Sequence, residues 1–307
     1  MQRKILFLAC VVIVFAVAFA AAAEQRALCS TFPVYQVTRN VAAGRSGMNV
    51  ALMLPSSMGC PHDYVLTPDD MRRLSSADIL VINGAGLEEF IGAPIRRANP
   101  ELVLIDSSQG LPDLLEYPAK PHRHGHRHGH RHDHSRINPH FFVSPRMSAR
   151  QAQVIAAALA EHDPPGAELY FSNARDYTAR MNELAEKLQA FGEALENNRF
   201  IVAGGIFDYL LRDIGVEVVG SIDSHGHEPS ASELLQIIRA VREKDAAAII
   251  VEVHSAQRLG NTLARETGLP VVALDPGDKG PANAQPDYFE KIMRRNLEKL
   301  LEAFMAE

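Results

Sequence analysis

The stretch that decides the fold is YFSNARDYTARMNELAEKLQAFGEAL, residues 170–195. Its apolar residues are alternately four and three positions apart, a spacing that fits one face of a helix and excludes a strand: Tyr170, Ala174, Tyr177, Met181, Leu184, Leu188, Phe191 and Leu195. At about 1.5 Å per residue this helix would extend roughly 38 Å, more than the width of a small domain. We therefore predict a long rigid helix within residues 164–198 that runs along two lobes and restricts hinge motion; a coiled-coil dimer seam is the alternative.

Apolar runs typical of strands alternate with helical patterns on both sides of this helix. The predicted strands are 26–32, 48–54, 79–83 and 102–105 before it, and 200–203, 216–222, 247–253 and 271–274 after it. The clearest helix start is Thr67, which is followed by a proline and, three residues after the cap, by Asp70. Such alternation indicates parallel sheets covered by helices. We predict an α/β protein of two lobes, 24–163 and 199–307, each with a parallel four-stranded sheet flanked by helices.

Residues 1–23 have the features of a cleaved signal peptide, with two cations, a long apolar run and a small-residue end. The 307-residue chain has a formal net charge of −6, which becomes −8 without this segment. Because phosphate binding needs a cationic face, we expect no nucleic acid partner, whereas metal cations suit this charge. No later apolar run approaches the ~20 residues that span a bilayer. We expect a periplasmic protein, most simply a monomer, without a lipid anchor at Cys10.

Two cysteines, Cys29 and Cys60, lie outside the predicted signal peptide. In an oxidising compartment such a pair more often forms a disulfide than a redox centre. Two buried thiols are the first alternative. The second is a Cys60 thiolate that ligates metal, because this cysteine is only two residues from His62.

Residues 122–134 differ in composition from the rest of the chain. They contain seven of the 13 histidines, on alternate residues: His122, His124, His126, His128, His130, His132 and His134. A tract of His, Arg and Gly has nothing apolar to bury, so it predicts a surface loop. Neutral imidazole is a common ligand for zinc, copper and nickel, and this loop is therefore a candidate auxiliary metal-binding element. A solvated polar tract is the alternative.

Three further side chains form a candidate metal site. His62 follows a predicted strand, His140 lies in Asn138-Pro139-His140 before a helical pattern, and Asp275 follows the last predicted strand. In open α/β sheets, ligands collect beyond the carboxyl ends of the strands. A single histidine in such a loop is most often structural. Three metal-ligating groups spread over both lobes favour a site between the lobes.

Together these motifs resemble the metal-specific solute-binding proteins of ABC importers, the ZnuA and TroA type of cluster A-I. The similarity covers nearly all of residues 25–305, and the order and spacing of the motifs make it more specific than any one of them. It implies two α/β lobes, a rigid linking helix and a transported metal, zinc above all, in the cleft between the lobes. The motifs are Phe32-Pro33-Val34-Tyr35, the 59–70 stretch, Ile82-Asn83-Gly84-Ala85-Gly86-Leu87-Glu88, Asn138-Pro139-His140, Glu228-Pro229-Ser230, Val251-Glu252 and Leu274-Asp275-Pro276.

The resemblance implies His62, His140 and Asp275 as the first, second and fourth metal ligands. The third does not transfer, because Gly204 stands where the family has His or Glu, and glycine has no ligand atom. Structural zinc sites normally have four ligands. Three alternatives stay open: His225 or His227 in a second-lobe loop, His254 after the strand 247–253, or water or an exogenous ligand. The resemblance also implies that Glu252 and Glu228 support neighbouring groups and do not ligate the metal.

Three classes of function fit these observations. The first is a binding protein that captures a divalent transition metal and delivers it to an ABC permease; two imidazoles and a carboxylate suit zinc better than manganese. The second is a periplasmic metal buffer or chaperone that relies on the His-rich loop. The third is a zinc-dependent hydrolase with an open coordination position, but the sequence has no His-Glu-x-x-His helix or other hydrolase motif. We expect no enzymatic activity.

Overall fold

The structure is a computed structural model that describes residues 24–59, 61, 64–117, 137–203, 205–222, 231–254 and 256–305. The predicted signal peptide and the His-rich loop lie outside these residues. In the described part of the chain, no helix is both long and apolar enough to cross a membrane.

The first half of the chain forms a parallel four-stranded sheet with the strand order β2-β1-β3-β4. We call these strands and their helices the N-terminal lobe. Its elements are β1 Gln25–Cys29, α1 Phe32–Val41, β2 Met48–Leu52, α2 Pro68–Ser75, β3 Ile79–Ile82, α3 Gly92–Ala98, β4 Val103–Asp106, a 3-10 turn at His140–Val143 and α4 Pro145–His162.

The second half forms another parallel sheet, with the order β6-β5-β7-β8. We call it and its helices the C-terminal lobe. Between the lobes lie a 3-10 turn at Pro164–Gly166 and α5 Ala167–Glu193, and the lobe itself contains β5 Arg199–Ala203, a 3-10 turn at Gly205–Phe207, α6 Asp208–Ile214, β6 Glu217–Ile222, α7 Ala231–Lys244, β7 Ala248–Glu252, α8 Ala256–Thr267, β8 Val271–Leu274 and α9 Tyr288–Met305.

The predicted fold class is confirmed, with small differences at element ends. Strand β1 is shorter than predicted, because Phe32 already begins α1 with a proline in its first turn. Helix α2 has the predicted capping box, in which the Thr67 side chain accepts from the Asp70 N–H and the Asp70 carboxylate accepts from the Thr67 N–H.

Helix α5 buries the predicted apolar seam inside the chain. From Tyr170 to Phe191 every seam residue is buried, and the helix ends at Glu193, just before the partly buried Leu195. The seam belongs to one continuous hydrophobic core that also includes Val34 of α1 and Met293 of α9. A single core that extends through both lobes opposes a hinge opening, because opening would expose buried apolar surface to water.

Polar contacts strengthen this junction. Arg180 of α5 donates from Nε to Glu290 Oε1 of α9 (2.7 Å) and from a terminal nitrogen to Asn40 Oδ1 of α1 (3.1 Å). Arg39 of α1 donates to the carbonyl oxygen of Ala284 (2.6 Å). The lobes are thus connected by the helix, by a shared core and by hydrogen bonds between them.

Candidate metal centre

His140 is the first residue of a 3-10 turn, and it is buried, with 7% exposure. Its backbone N–H and its Nδ1 both lie within hydrogen-bonding distance of Asn138 Oδ1, at 3.0 and 2.9 Å. The Tyr117 hydroxyl is 3.3 Å from the same Nδ1. These contacts fix the plane of the imidazole ring, which is how metal-ligating histidines are usually held.

The orientation of the Asn138 amide decides the tautomer of His140. Its Nδ2 donates to the Gly205 carbonyl oxygen and to Asp208 Oδ2, both at 3.1 Å, so Oδ1 must face the histidine. Because Oδ1 can only accept, Nδ1 of the neutral ring carries the proton. The lone pair of the neutral imidazole is then on Nε2, the atom that would bind a metal.

Asn138 also joins the two lobes. Gly205 and Asp208 belong to the C-terminal lobe, and the hydroxyl of Tyr209, in the same lobe, donates to the Asn138 carbonyl oxygen (2.7 Å). Burial raises the pKa of Asp208 to about 6, against the opposing effect of its hydrogen bond from Asn138. A candidate ligand of the N-terminal lobe is therefore positioned by contacts across the lobe junction.

The Asn83–Glu88 motif is hydrogen-bonded to the same loop. Asn83 Nδ2 donates to the carbonyl oxygen of Pro139 (3.0 Å), the residue before His140. Glu88 holds the motif itself by accepting from the backbone N–H groups of Asn83 (2.8 Å) and Gly84 (3.0 Å). The motif is thus structural, and its contribution to a metal site is the position of the His140 loop.

Asp275, the predicted fourth ligand, directly follows β8. Asn296 fixes its backbone by accepting from the Asp275 N–H (2.9 Å) and donating to its carbonyl oxygen (2.8 Å). The side-chain Oδ1 accepts from the Gly277 N–H (2.9 Å), which shapes the turn after the strand. The carboxylate is partly exposed at the carboxyl end of the second sheet.

One group of three metal-ligating side chains occurs within the described residues: Glu252, His254 and Asp278, whose candidate ligand atoms all lie within 4.8 Å of one another. We call it the β7–β8 cluster. From the sequence, His254 is predicted as an alternative ligand and Glu252 as a supporting residue, whereas Asp278 is missed. The Asp-Pro-Gly-Asp order of residues 275–278 was the signal that could have found it, since a tight turn brings the second aspartate back towards the first.

Asp278 is buried, with 5% exposure, and its Oδ1 has no hydrogen-bond partner among the described residues. Burial raises the pKa of Asp278 to about 6; Lys279 opposes this shift, and the carboxylates of Glu252 and Asp275 add to it. The Lys279 Nζ is 3.9 Å from Glu252 Oε1. His254 is the exposed member of the cluster.

The loop that leads to His62 meets this cluster. Gly59, three residues before His62, has φ +74°, and a Cβ at this position would lie 2.9 Å from Asp278 Oδ2 and 3.4 Å from Lys279 Nζ. Nearby, the Gly280 N–H donates to the Ser56 carbonyl oxygen (2.9 Å). The cluster is therefore at the junction of the lobes, covered in part by the N-terminal lobe.

Several predicted site residues lie outside the described residues: His62, Cys60, Gly204, His225, His227, Glu228 and the histidines of 122–134. Cys29 is described as a free, buried thiol, and burial raises its pKa to about 12. The structure therefore does not show the predicted Cys29–Cys60 disulfide, which stays a prediction.

Comparison with known proteins places this geometry in a family. Residues 28–303 match the family model described as "Zinc-uptake complex component A periplasmic". The High-affinity zinc uptake system protein ZnuA of Bacillus subtilis is 28% identical over 281 residues, 90% of this chain and 86% of the relative. The Manganese-binding lipoprotein MntA of Halalkalibacterium halodurans is 24% identical over 238 residues, 76% of this chain and 73% of the relative.

A solved structure has the same fold. The SBP FpvC of Pseudomonas aeruginosa in complex with Ni²⁺ superimposes with a TM-score of 0.76 and 27% identity, covering 92% of this chain and 99% of that one. The same protein has been solved in complex with Mn²⁺. The family match extends over both lobes and the linking helix. The chain therefore belongs to the ZnuA family.

Proposed function

We propose that this protein captures a divalent transition metal, zinc first of all, outside the cytoplasm and delivers it to an ABC permease. The observation that carries the proposal is the Asn138 amide, which fixes the His140 tautomer while bonding to both lobes. The position of a metal ligand held in this way depends on how the two lobes are placed relative to each other. Metal binding can then alter the surface that both lobes present to a permease without a large closure.

The choice of zinc is based on donor chemistry. His62 and His140 would supply imidazole nitrogens, which suit zinc, nickel and copper, while Asp275 would supply one carboxylate. Relatives are named for binding zinc or manganese, and a structural neighbour holds nickel or manganese. We therefore propose zinc as the transported ion and manganese as the weaker competitor. The protein would act in the periplasm as a monomer and without enzymatic activity.

A zinc titration of the mature protein tests this function. We expect His62→Ala, His140→Ala and Asp275→Asn each to weaken the tightest site by at least about tenfold. His162→Ala is the control, because His162 is exposed at the C-terminal end of α4, and the helix begins near His140. Wild-type affinity in both His62→Ala and His140→Ala would refute a cleft site.

The alternative function is that of a metal buffer or chaperone, favoured by the seven histidines of 122–134. In the importer proposal this loop is a weak collector that raises the local metal concentration near the cleft. Deleting residues 122–134 separates the two functions. We expect one tight zinc site to be retained after the deletion, whereas a buffer would lose most of its bound metal.

A further inference from the structure

We propose that Glu252, His254 and Asp278 bind the transported metal in the C-terminal lobe, with His254 supplying the imidazole that Gly204 lacks. This inference rests on the proposed function, because it assigns ligands to the same ion. It also changes the donor set that the resemblance implies: the C-terminal lobe contributes the β7–β8 cluster beside Asp275.

The sheet register brings the cluster to the right place. In the C-terminal sheet, β7 lies between β5 and β8, Val202 of β5 pairs with Ile250, and Glu252 pairs with Leu274, the residue before Asp275. The Val253 N–H continues this pairing by donating to the Leu274 carbonyl oxygen (2.8 Å). The end of β7 is therefore beside the end of β5 and beside Asp275.

The burial of Asp278 indicates what the cluster lacks. A buried carboxylate oxygen without a donor is costly, and native proteins normally satisfy such atoms. Asp278 is buried, with only 5% exposure, and its Oδ1 has no hydrogen-bond partner among the described residues. The other nearby acidic groups, Glu252 and Asp275, add negative charge. A divalent cation would satisfy the orphan oxygen and neutralise this charge.

Lys279 places a positive charge beside the cluster. Its Nζ is 3.9 Å from Glu252 Oε1, longer than a good ion pair with a hydrogen bond. The three ligand atoms lie within 4.8 Å of one another, so a zinc ion between them would draw them to bond lengths of roughly 2.0–2.2 Å. The metal and the Lys279 ammonium would then compete for Glu252.

This competition predicts effects of opposite sign on zinc affinity. In the mature protein, with a chelator that masks weak sites, we expect His254→Ala and Asp278→Asn to weaken the tightest zinc site by at least about tenfold. Lys279→Met should tighten it by roughly two- to fivefold, because it removes the competing cation. A merely structural role for the cluster would not produce tighter binding.

The controls are His162→Ala and Asp245→Asn. Both residues are exposed, and Asp245 has φ +52°, a conformation that asparagine also tolerates. We expect wild-type zinc affinity in both. Circular dichroism and thermal unfolding in chelator verify that Asp278→Asn folds, and Glu252→Gln is the second variant if it does not. Absorption of bound Co²⁺ gives an independent readout, since loss of the His254 nitrogen should change its visible bands.

The outcomes separate the inference from the proposed function. Wild-type affinity in His254→Ala and Asp278→Asn, with loss in His140→Ala, overturns the inference and leaves the function standing. Loss in the cluster variants with wild-type affinity in His140→Ala supports the C-terminal ligands and overturns the cleft. Wild-type affinity in all of them overturns both.

Discussion

Each lobe has a buried carboxyl group, Glu88 in the N-terminal lobe and Asp278 in the C-terminal lobe, and the two differ in their hydrogen bonding. Glu88, 7% exposed, accepts hydrogen bonds from the Ser30 hydroxyl (2.6 Å) and from two backbone N–H groups. Asp278, 5% exposed, has an oxygen with no partner among the described residues. The N-terminal lobe thus satisfies its buried carboxyl group with its own donors, whereas the described residues of the C-terminal lobe leave one oxygen of Asp278 without a donor.

The largest effect is expected at Gly84, within the motif behind His140. Its φ is +81°, and a Cβ would lie 1.8 Å from Asp106 Oδ1 and 2.5 Å from Ser108 Oγ. Because backbone strain and overpacking combine, Gly84→Ala should lower the free energy of unfolding by about 3–5 kcal/mol. Chemical denaturation in chelator measures this loss.

Gly215→Ala is the matched control in the C-terminal lobe. Gly215 has φ +88°, but a Cβ at this position would meet no atom within 4 Å. The substitution should therefore lower the free energy of unfolding by only about 1 kcal/mol, through backbone strain alone. Equal losses in the two variants would show that the N-terminal motif is less tightly built than we conclude.

The pH dependence of stability tests Glu88 directly. Burial raises its pKa from 4.5 to about 7, although its three hydrogen bonds lower it. The native state therefore binds more protons than the unfolded state between these values, and the resulting stabilisation is present below pH 4.5 and lost as pH rises through 7. Glu88→Gln cannot ionise, so its unfolding free energy should rise relative to wild type by up to about 3 kcal/mol across this window.

Denaturant unfolding of the metal-free proteins between pH 4.5 and 8 measures this difference. Glu243→Gln, at an exposed position of α7, is the control and should show a difference that is constant with pH. A constant difference for Glu88→Gln as well would mean that Glu88 stays ionised in the native state and that its three donors outweigh its burial.

A smaller effect is expected for Asn138→Ala, which removes the group that orients His140. Loss of an outer-shell partner typically costs 10–100-fold in metal affinity, so zinc binding should weaken by about that factor. Isothermal titration with a competing chelator measures it. Asn283→Ala, at an exposed position, should bind like wild type. Unchanged affinity in Asn138→Ala would show that His140 is not preorganised.

The smallest effect is expected for Arg180→Ala at the lobe junction. It leaves the Glu290 carboxylate, whose side chain is 11% exposed, without its ion pair, and should cost about 1 kcal/mol in thermal or chemical unfolding. Lys187→Ala on the same helix breaks the exposed pair with Glu183 and should cost less stability than Arg180→Ala, because solvent screens an exposed pair. Equal losses of stability in the two variants would show that the Arg180–Glu290 pair contributes no more to stability than an exposed ion pair.

Much of the fold could be predicted from local patterns. The four-three spacing of residues 170–195 indicated the long helix because helical periodicity needs no distant information, and the alternation of strand and helix indicated both parallel sheets. The predicted strand 26–32 extends beyond the end of β1 at Cys29, because an apolar residue such as Phe32 fits a strand as well as a helix. The start of a helix at this residue depends on the proline that follows it.

The candidate site was less predictable. His140 was found through its motif, but the role of Asn138 in orienting the ring depends on contacts with Gly205 and Asp208, which lie far away along the chain. Asp278 was missed because its burial and its nearness to Glu252 arise from the pairing of β7 with β8 and from the turn after Asp275. Periodicity carries no information about such contacts.

The central claim is that one ion binds where the lobes meet, between His140 and the acidic end of the C-terminal sheet. Diffraction from crystals of the zinc-loaded protein without residues 1–23, recorded on both sides of the zinc absorption edge, tests it most directly. We predict one strong anomalous peak within bonding distance of His140 Nε2 and of at least one side chain among His254, Glu252, Asp275 and Asp278. Peaks confined to residues 122–134, with none at His140, would contradict it.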